Sequence, residues 1–130
     1  MLFRSGTRIS RDFNFLSAVH FEKNFLLNNF SISLTFTVET DSIFEQNIAM
    51  DRIKFFINQQ LENCIFVQDT ETKAIEKYQD AGLKVCCLPD EPYDQIITII
   101  LLYKINAICE GRLVATDIQL NSILSDDVGF

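Results

Sequence analysis

The sequence predicts one α+β domain, an antiparallel sheet with two main helices packed on one face, and three observations carry that expectation. Two segments near the start alternate polar and apolar residues with the period of two that a half-buried strand requires. Between Asp51 and Cys64 apolar residues recur at helical spacing, and Asp94 to Cys109 forms a long apolar block bracketed by Pro92 and Gly111. From Arg112 onward the strand-like alternation returns.

Taken in order, "RDFNFLSAVHF" reads as extended chain, with Phe13 and Phe15 set against Asp12 and Asn14. "FSISLTFTVET" alternates more cleanly, with Phe30, Ile32, Leu34, Phe36 and Val38 sharing one face; the two segments should pair as an antiparallel hairpin. Asp51 opens "DRIKFFINQQLENC" as a helix cap, and Ile53, Phe56, Ile57, Leu61 and Cys64 make its buried stripe. A shorter helix is expected in "ETKAIEKYQDAG", closed by Gly82, followed by a short strand "LKVCCLP". "DQIITIILLYKINAIC" is apolar nearly all round, which predicts a helix covered by the sheet and by another subunit. "RLVATDIQLNSI" closes the chain as a strand, Leu113, Ala115, Asp117 and Gln119 on one face.

Length and composition bound the function. With 130 residues, 48% of them hydrophobic, and only four Gly and two Pro, residues 1–130 form a single domain without linker or low-complexity tract. A deep substrate site would need a neighbouring subunit. A net charge of −7 offers no cationic face for a phosphate backbone, so nucleic acid is not an expected partner. No apolar run approaches the ~20 residues that cross a bilayer, and the early arginines do not precede one, so the expectation is a soluble, cytoplasmic protein with no membrane partner. The four cysteines show no CxxC spacing and read as buried, reduced, inert thiols. No Gly-rich phosphate loop and no GxSxG elbow is present, which removes triphosphate hydrolysis and serine esterase chemistry.

His20 is the only histidine. One imidazole does not hold zinc, which needs three or four ligands, and a general base needs an orienting partner. Its bland reading is a structural histidine satisfied by backbone groups, and a residual ligand contact is the next alternative. A Cys64–His20 pair, or convergence of Glu62, Glu22 or Asp51 on His20, is the sharper alternative, and no spacing enforces either.

Several strings carry a resemblance. "FNFLSAVHF" resembles a first strand that ends in Ala-Ala-His; "AMDRIKFFINQQLEN" is similar to a helix opened by Met-Asp and closed by Leu-Asp-His. "DAGLKVCCLPDEPYDQI" is similar to a strand, Leu-Pro, and Pro-Thr-x-Glu-Asn opening the next helix, and "DIQLNSILSDDVGF" to a last strand that carries Glu-Thr and ends on an aromatic residue. In this order the strings resemble, nearly end to end, the 6-pyruvoyl-tetrahydropterin synthase family, which includes the 6-carboxytetrahydropterin synthases of queuosine biosynthesis. The resemblance implies a tunnelling fold whose sheets pair edge to edge into a barrel of trimers or hexamers.

In that family zinc is held by the histidine of Ala-Ala-His and by two from His-x-His on the next strand, and it polarises the side-chain carbonyl of a pterin. A cysteine with the aspartate and histidine of Leu-Asp-His moves protons, and a glutamate on the last strand anchors the ring. Carried over by position, His20 matches the first zinc ligand, while the His-x-His positions fall on Leu26 and Asn28. The segment Phe21 to Phe25 has no cysteine; Leu-Asp-His becomes Leu61, Glu62, Asn63; the glutamate becomes Asn121, followed by Ser122; Pro-Thr-x-Glu becomes Pro92, Tyr93, Asp94, Gln95. The resemblance thus leaves His20 and Glu62 as catalytic candidates, Asn28, Gln95, Asn121 and Ser122 as ligand-binding positions, and no zinc cofactor. Three functions follow as expectations. One is a zinc-free descendant with an intersubunit pocket for a pterin- or purine-like ring and no lyase turnover. The others are an active carbon–oxygen lyase of the synthase type, and a structural oligomer with a filled pocket.

Overall fold

A computed structural model describes residues 3–122, so the strand position Ile123, the acidic stretch Ser125 to Phe130 and its closing aromatic lie outside the described residues. The order is β1 (Arg8–Phe21), β2 (Asn24–Val38), α1 (Ile43–Phe55), a π-helical turn (Phe56–Leu61), β3 (Cys64–Gln68), α2 (Thr72–Asp80), β4 (Lys84–Leu88), α3 (Asp94–Cys109) and β5 (Leu113–Ser122). The result is an α+β domain with a five-stranded mixed sheet in the order β4-β3-β1-β2-β5.

The long hairpin forms as its alternation demands. β1 and β2 pair antiparallel without a break, from Arg8 opposite Thr37 to Phe21 opposite Asn24. Phe30, Ile32, Leu34, Phe36 and Val38 are fully buried on the helix side, where Phe15 stacks on Phe30 at 5.2 Å and Phe66 meets Phe30 edge-on at 5.7 Å. Such ring pairs add about 0.5–1.5 kcal/mol each beyond their burial. The turn at Glu22 and Lys23 has positive φ at both positions, the twist that a two-residue hairpin loop needs.

Helix α1 begins earlier than the sequence suggests. Ser42 caps it by accepting from the Glu45 amide, and Asp51, expected as the cap, is an exposed residue inside the helix. Its inward residues include Gln46, which holds Phe3 through both its carbonyl and its amide and also donates to the Thr40 carbonyl. A polar residue at an inward position hides the apolar period that would announce the helix. The helix also ends sooner, widening into the π turn and stopping at Asn63, whose φ is +62°. Cys64 opens β3, a strand that helical spacing alone merges into the helix.

That strand makes the sheet mixed where an antiparallel one is expected from the sequence. β3 runs parallel to β1, through Ala18–Ile65 and Val19–Phe66, and parallel to β4 along its whole length. A short β3–α2–β4 crossover can return the chain only in the same direction. α2 ends as expected at Gly82, with φ +80° where a side chain would be strained.

α3 packs against α1 and β5, burying Ile97, Leu101, Ile105 and Cys109. Asn106 grips β5 like a strand, donating to the Ala115 carbonyl at 3.1 Å and accepting from the Ala115 amide at 2.7 Å. Beside that grip the β2–β5 register slips between Thr35 and Phe36, leaving Thr116 as an extra residue. The bulge re-aims the strand: Leu113 and Ala115 are buried, and so is Ile118, which plain alternation places opposite them. Among the described residues no helix is long and apolar enough to cross a membrane.

Candidate functional site

Strand alternation sorts the predicted site residues between the two faces. On β1 the odd positions Phe15 and Val19 belong to the core beneath α1 and α3, so Leu16, Ala18 and His20 point to the opposite face. Residues paired directly across the hairpin share a face, and His20 pairs with Phe25, Ala18 with Leu27. Leu26 and Asn28 pair with Val19 and Ser17, so they face the helix side, away from His20.

Tyr78 of α2 reaches over His20 from that opposite face. Its hydroxyl lies 2.7 Å from His20 Nδ1, its ring meets the imidazole edge-on at 5.7 Å, and Phe25 tilts against the same phenol at 5.9 Å. Burial raises the Tyr78 pKa, so the phenol keeps its proton and either donates to Nδ1 or accepts from Nδ1–H, as the tautomer dictates. His20 is 9% exposed, and its Nε2 is buried without a partner among the described residues. The pair ties the end of the hairpin to α2 through a side chain 58 residues away, where backbone groups are the partners expected from the sequence.

Glu62 is held by the backbone. Its carboxylate accepts from the Leu16 amide at 3.0 Å, and the next residue, Asn63, donates to the Leu16 carbonyl at 2.6 Å. These two bonds lead β3 into its parallel pairing with β1. Asn121 pairs with Ser31 on the far face of the sheet, Ser122 with Phe30 on the helix face, and Gln95 is exposed at the start of α3. The four positions expected to bind a ligand are therefore not gathered within the chain: Asn28 and Ser122 belong to one face, Asn121 to the other, and Gln95 to a helix end.

The zinc site that the resemblance would import does not fit these residues. Opposite His20 and one pair further on, the side chains that share its face are Phe25 and Leu27, and Nδ1 is already bonded to Tyr78. Among the described residues no group of three His, Cys, Asp or Glu side chains is placed to hold a metal ion. A Cys64–His20 pair is excluded by geometry, because Cys64 belongs to the helix-side core. Burial pushes its thiol up to about 12, with Cys86 adding and Lys84 and Ser17 opposing. Cys109 is likewise buried and pushed up to about 11, whereas Cys87 is exposed and Cys86 half-buried, so the cysteines are not uniformly interior.

Beside the hairpin lies a cavity of about 260 Å³ between β1 and β3, walled by Leu16, Ala18, Phe25, Leu27, Ile65 and Leu83. Leu16, Phe25, Leu27 and Leu83 are between 42% and 56% exposed, a contiguous apolar surface of the kind that marks an interaction site. Sequence reasoning misses this wall because it assigns Leu26 to the His20 face; the two-residue turn at Glu22 and Lys23 fixes the register that corrects it. Fold and site define an α+β domain that carries a tyrosine-bound histidine and an apolar cavity walled in part by Phe25, the residue paired with that histidine. No protein-family model matches the chain, and no curated protein matches it.

Proposed function

We propose that this chain is a zinc-free, catalytically silent relative of the 6-pyruvoyl-tetrahydropterin synthases, a tunnelling-fold protomer that assembles into a ring and keeps a pocket for a flat heterocycle. The observation that carries the reading is the setting of His20: Tyr78 occupies one ring nitrogen, and Phe25 and Leu27 stand where a metal would need imidazoles. Apolar walls and ring edges suit the face of a pterin- or purine-like ring, and neutral amides such as Asn121 and Gln95, brought in by neighbouring copies, suit its rim.

Besides the edge strand β4, two further open edges support the assembly. β5 is an edge strand, and β1 has no strand partner before Leu16 on the side away from β2 among the described residues. Unpaired edges of this length invite pairing with another chain. In a trimer or hexamer, the exposed aliphatics beside the cavity would lie next to the joint, where a ligand or another protomer covers them. A purely structural oligomer is the second reading, favoured by the same leucines, which could fill the cavity with a neighbour's side chains.

Thermal melting of the purified oligomer with pterin, 7,8-dihydroneopterin, guanine and xanthine tests both, alongside turnover of 7,8-dihydroneopterin triphosphate. Stabilisation by a bicyclic ring with no release of triphosphate is the expected result. Triphosphate release would overturn the silent assignment, and an oligomer stabilised by none of the rings would leave the scaffold reading.

A further inference from the structure

A second cavity, of about 480 Å³, lies on the helix side of the sheet, between the π turn, the edge strand β4 and α3. The π turn supplies Phe56, Gln60 and Leu61, β4 supplies Lys84 and Cys86, and α3 supplies Lys104. No carboxylate lines it, in a protein of net charge −7. Lys104 forms no ion pair among the described residues, and Lys84 donates only to the Gln59 carbonyl at 2.8 Å, within the π turn. Single π turns recur where a helix is reshaped for a site. Here the widening sets a peptide carbonyl where it fixes one lysine at the cavity mouth.

We propose that this cavity binds a phosphate-bearing small molecule, with the phosphate between the ammonium groups of Lys84 and Lys104 and the apolar part against Phe56 and Leu61. Two ammonium groups act as point charges and match a doubly charged phosphate better than a single carboxylate. Phe56 and Leu61 line the cavity, and at 5% and 2% exposed they offer hydrocarbon there that is held in place by the core. Cys86 provides a built-in reporter on the same wall. Burial raises its thiol pKa and Lys104 lowers it, which places the ammonium group within electrostatic reach of the sulfur. The cavity is on the face opposite His20, so its failure would leave the pterin-type reading untouched.

The test uses the full chain with Cys87→Ser, an exposed residue that also lines the cavity, as the common background for every variant, following iodoacetamide modification of Cys86 by mass spectrometry at pH 8. Phenyl phosphate should slow that modification several-fold, whereas phenol and benzoate at equal concentration should not. Lys104→Gln should raise the phenyl phosphate concentration that gives half-maximal protection by roughly tenfold, the scale of one lost charge-assisted bond, and Lys104→Arg should leave it near the parent's. Backbone amide shifts of residues 56–61 and 84–88 on titration give a second readout that does not depend on thiol reactivity. Protection by phenol or benzoate equal to that by phenyl phosphate overturns the proposal, as does a Lys104→Gln protein that binds phenyl phosphate as tightly as the parent.

Discussion

His20 Nδ1 and the Tyr78 hydroxyl stand 2.7 Å apart, joining the end of the first strand to a helix 58 residues further along the chain. The bond crosses from the hairpin to the β3–α2–β4 unit, whose β3 also pairs with β1 at Ala18–Ile65 and Val19–Phe66 and packs Phe66 on Phe15 at 6.5 Å. Removing the hydroxyl with Tyr78→Phe leaves both imidazole nitrogens buried without a partner, so stability should fall by about 1–3 kcal/mol. His20→Leu combined with Tyr78→Phe should recover much of that loss, because two apolar groups then face each other. A double-mutant cycle by urea denaturation measures the coupling, expected at about 0.5–3 kcal/mol; a value near zero would mean that the bond does not form in solution.

Glu62 should prove structural. Glu62→Ala strips the acceptor from the Leu16 amide at the entry to the parallel pair and should cost about 1 kcal/mol, with Glu62→Gln losing less because the amide oxygen still accepts. Urea midpoints of the two variants give the comparison. Equal losses would show that the charge matters and the acceptor does not.

How much of this is legible in the sequence follows from where burial and backbone pattern agree. β1, β2 and α3 can be read because each buries one clean face or a continuous apolar block. The start of α1 is written in its capping residues, Ser42 with Glu45 three positions on, but Gln46 at an inward position and exposed Phe44 and Ile48 scramble the apolar stripe. β3 is absorbed into the preceding helix because Ile57, Leu61 and Cys64 keep helical spacing across Asn63, whose left-handed backbone ends the helix without a glycine to signal it. For the candidate site the types of residue are readable and their faces are not. A hairpin's register hangs on its turn, and Glu22–Lys23 carries none of the usual turn chemistry, so Leu26 and Asn28 fall by resemblance on the face of His20 when they lie behind it.

The same turn offers a gain in stability. Glu22 at φ +51° and Lys23 at φ +67° hold left-handed backbone that asparagine and glycine adopt at lower cost. The double substitution Glu22→Asn with Lys23→Gly should stabilise the fold by about 1 kcal/mol, read as a shift in urea midpoint at unchanged slope. A loss of stability would place the turn in another conformation.

Alkaline titration should expose the buried thiols. Cys64 and Cys109 are raised to about 12 and about 11, and in the unfolded chain they return to ordinary values near 9. The folded state binds the protons more tightly, so the stabilisation is complete below pH 9 and falls as pH rises through the folded values. Between about pH 9 and 11 each thiol should contribute a slope of at most about 1.4 kcal/mol per pH unit. Cys64→Ala should flatten this decline relative to the parent while costing some stability at pH 7 through lost packing. Urea denaturation at pH 8 and pH 10 provides the readout, and identical slopes for parent and variant would contradict the burial of Cys64.

Assembly through the open edge of β1 makes a prediction that separates two neighbouring positions. The Leu16 amide points away from β2, toward Glu62, and the hairpin register runs unbroken, so the amides of Asn14, Asp12 and Ser10 also point to the open side. The amide of Arg11 points the other way, toward Leu34 of β2. Proline at position 12 therefore removes a donor that only a neighbouring protomer would use, whereas proline at position 11 removes one from the hairpin itself. If the proposed ring forms, the parent should sediment as a trimer or hexamer and Asp12→Pro as a folded monomer with the parent's far-ultraviolet circular dichroism. Arg11→Pro should lose about 3 kcal/mol or more of stability. An Asp12→Pro protein that keeps the parent's oligomeric mass would remove β1 from the joint, and with it the ring in which the cavity between β1 and β3 would meet the amides of neighbouring copies.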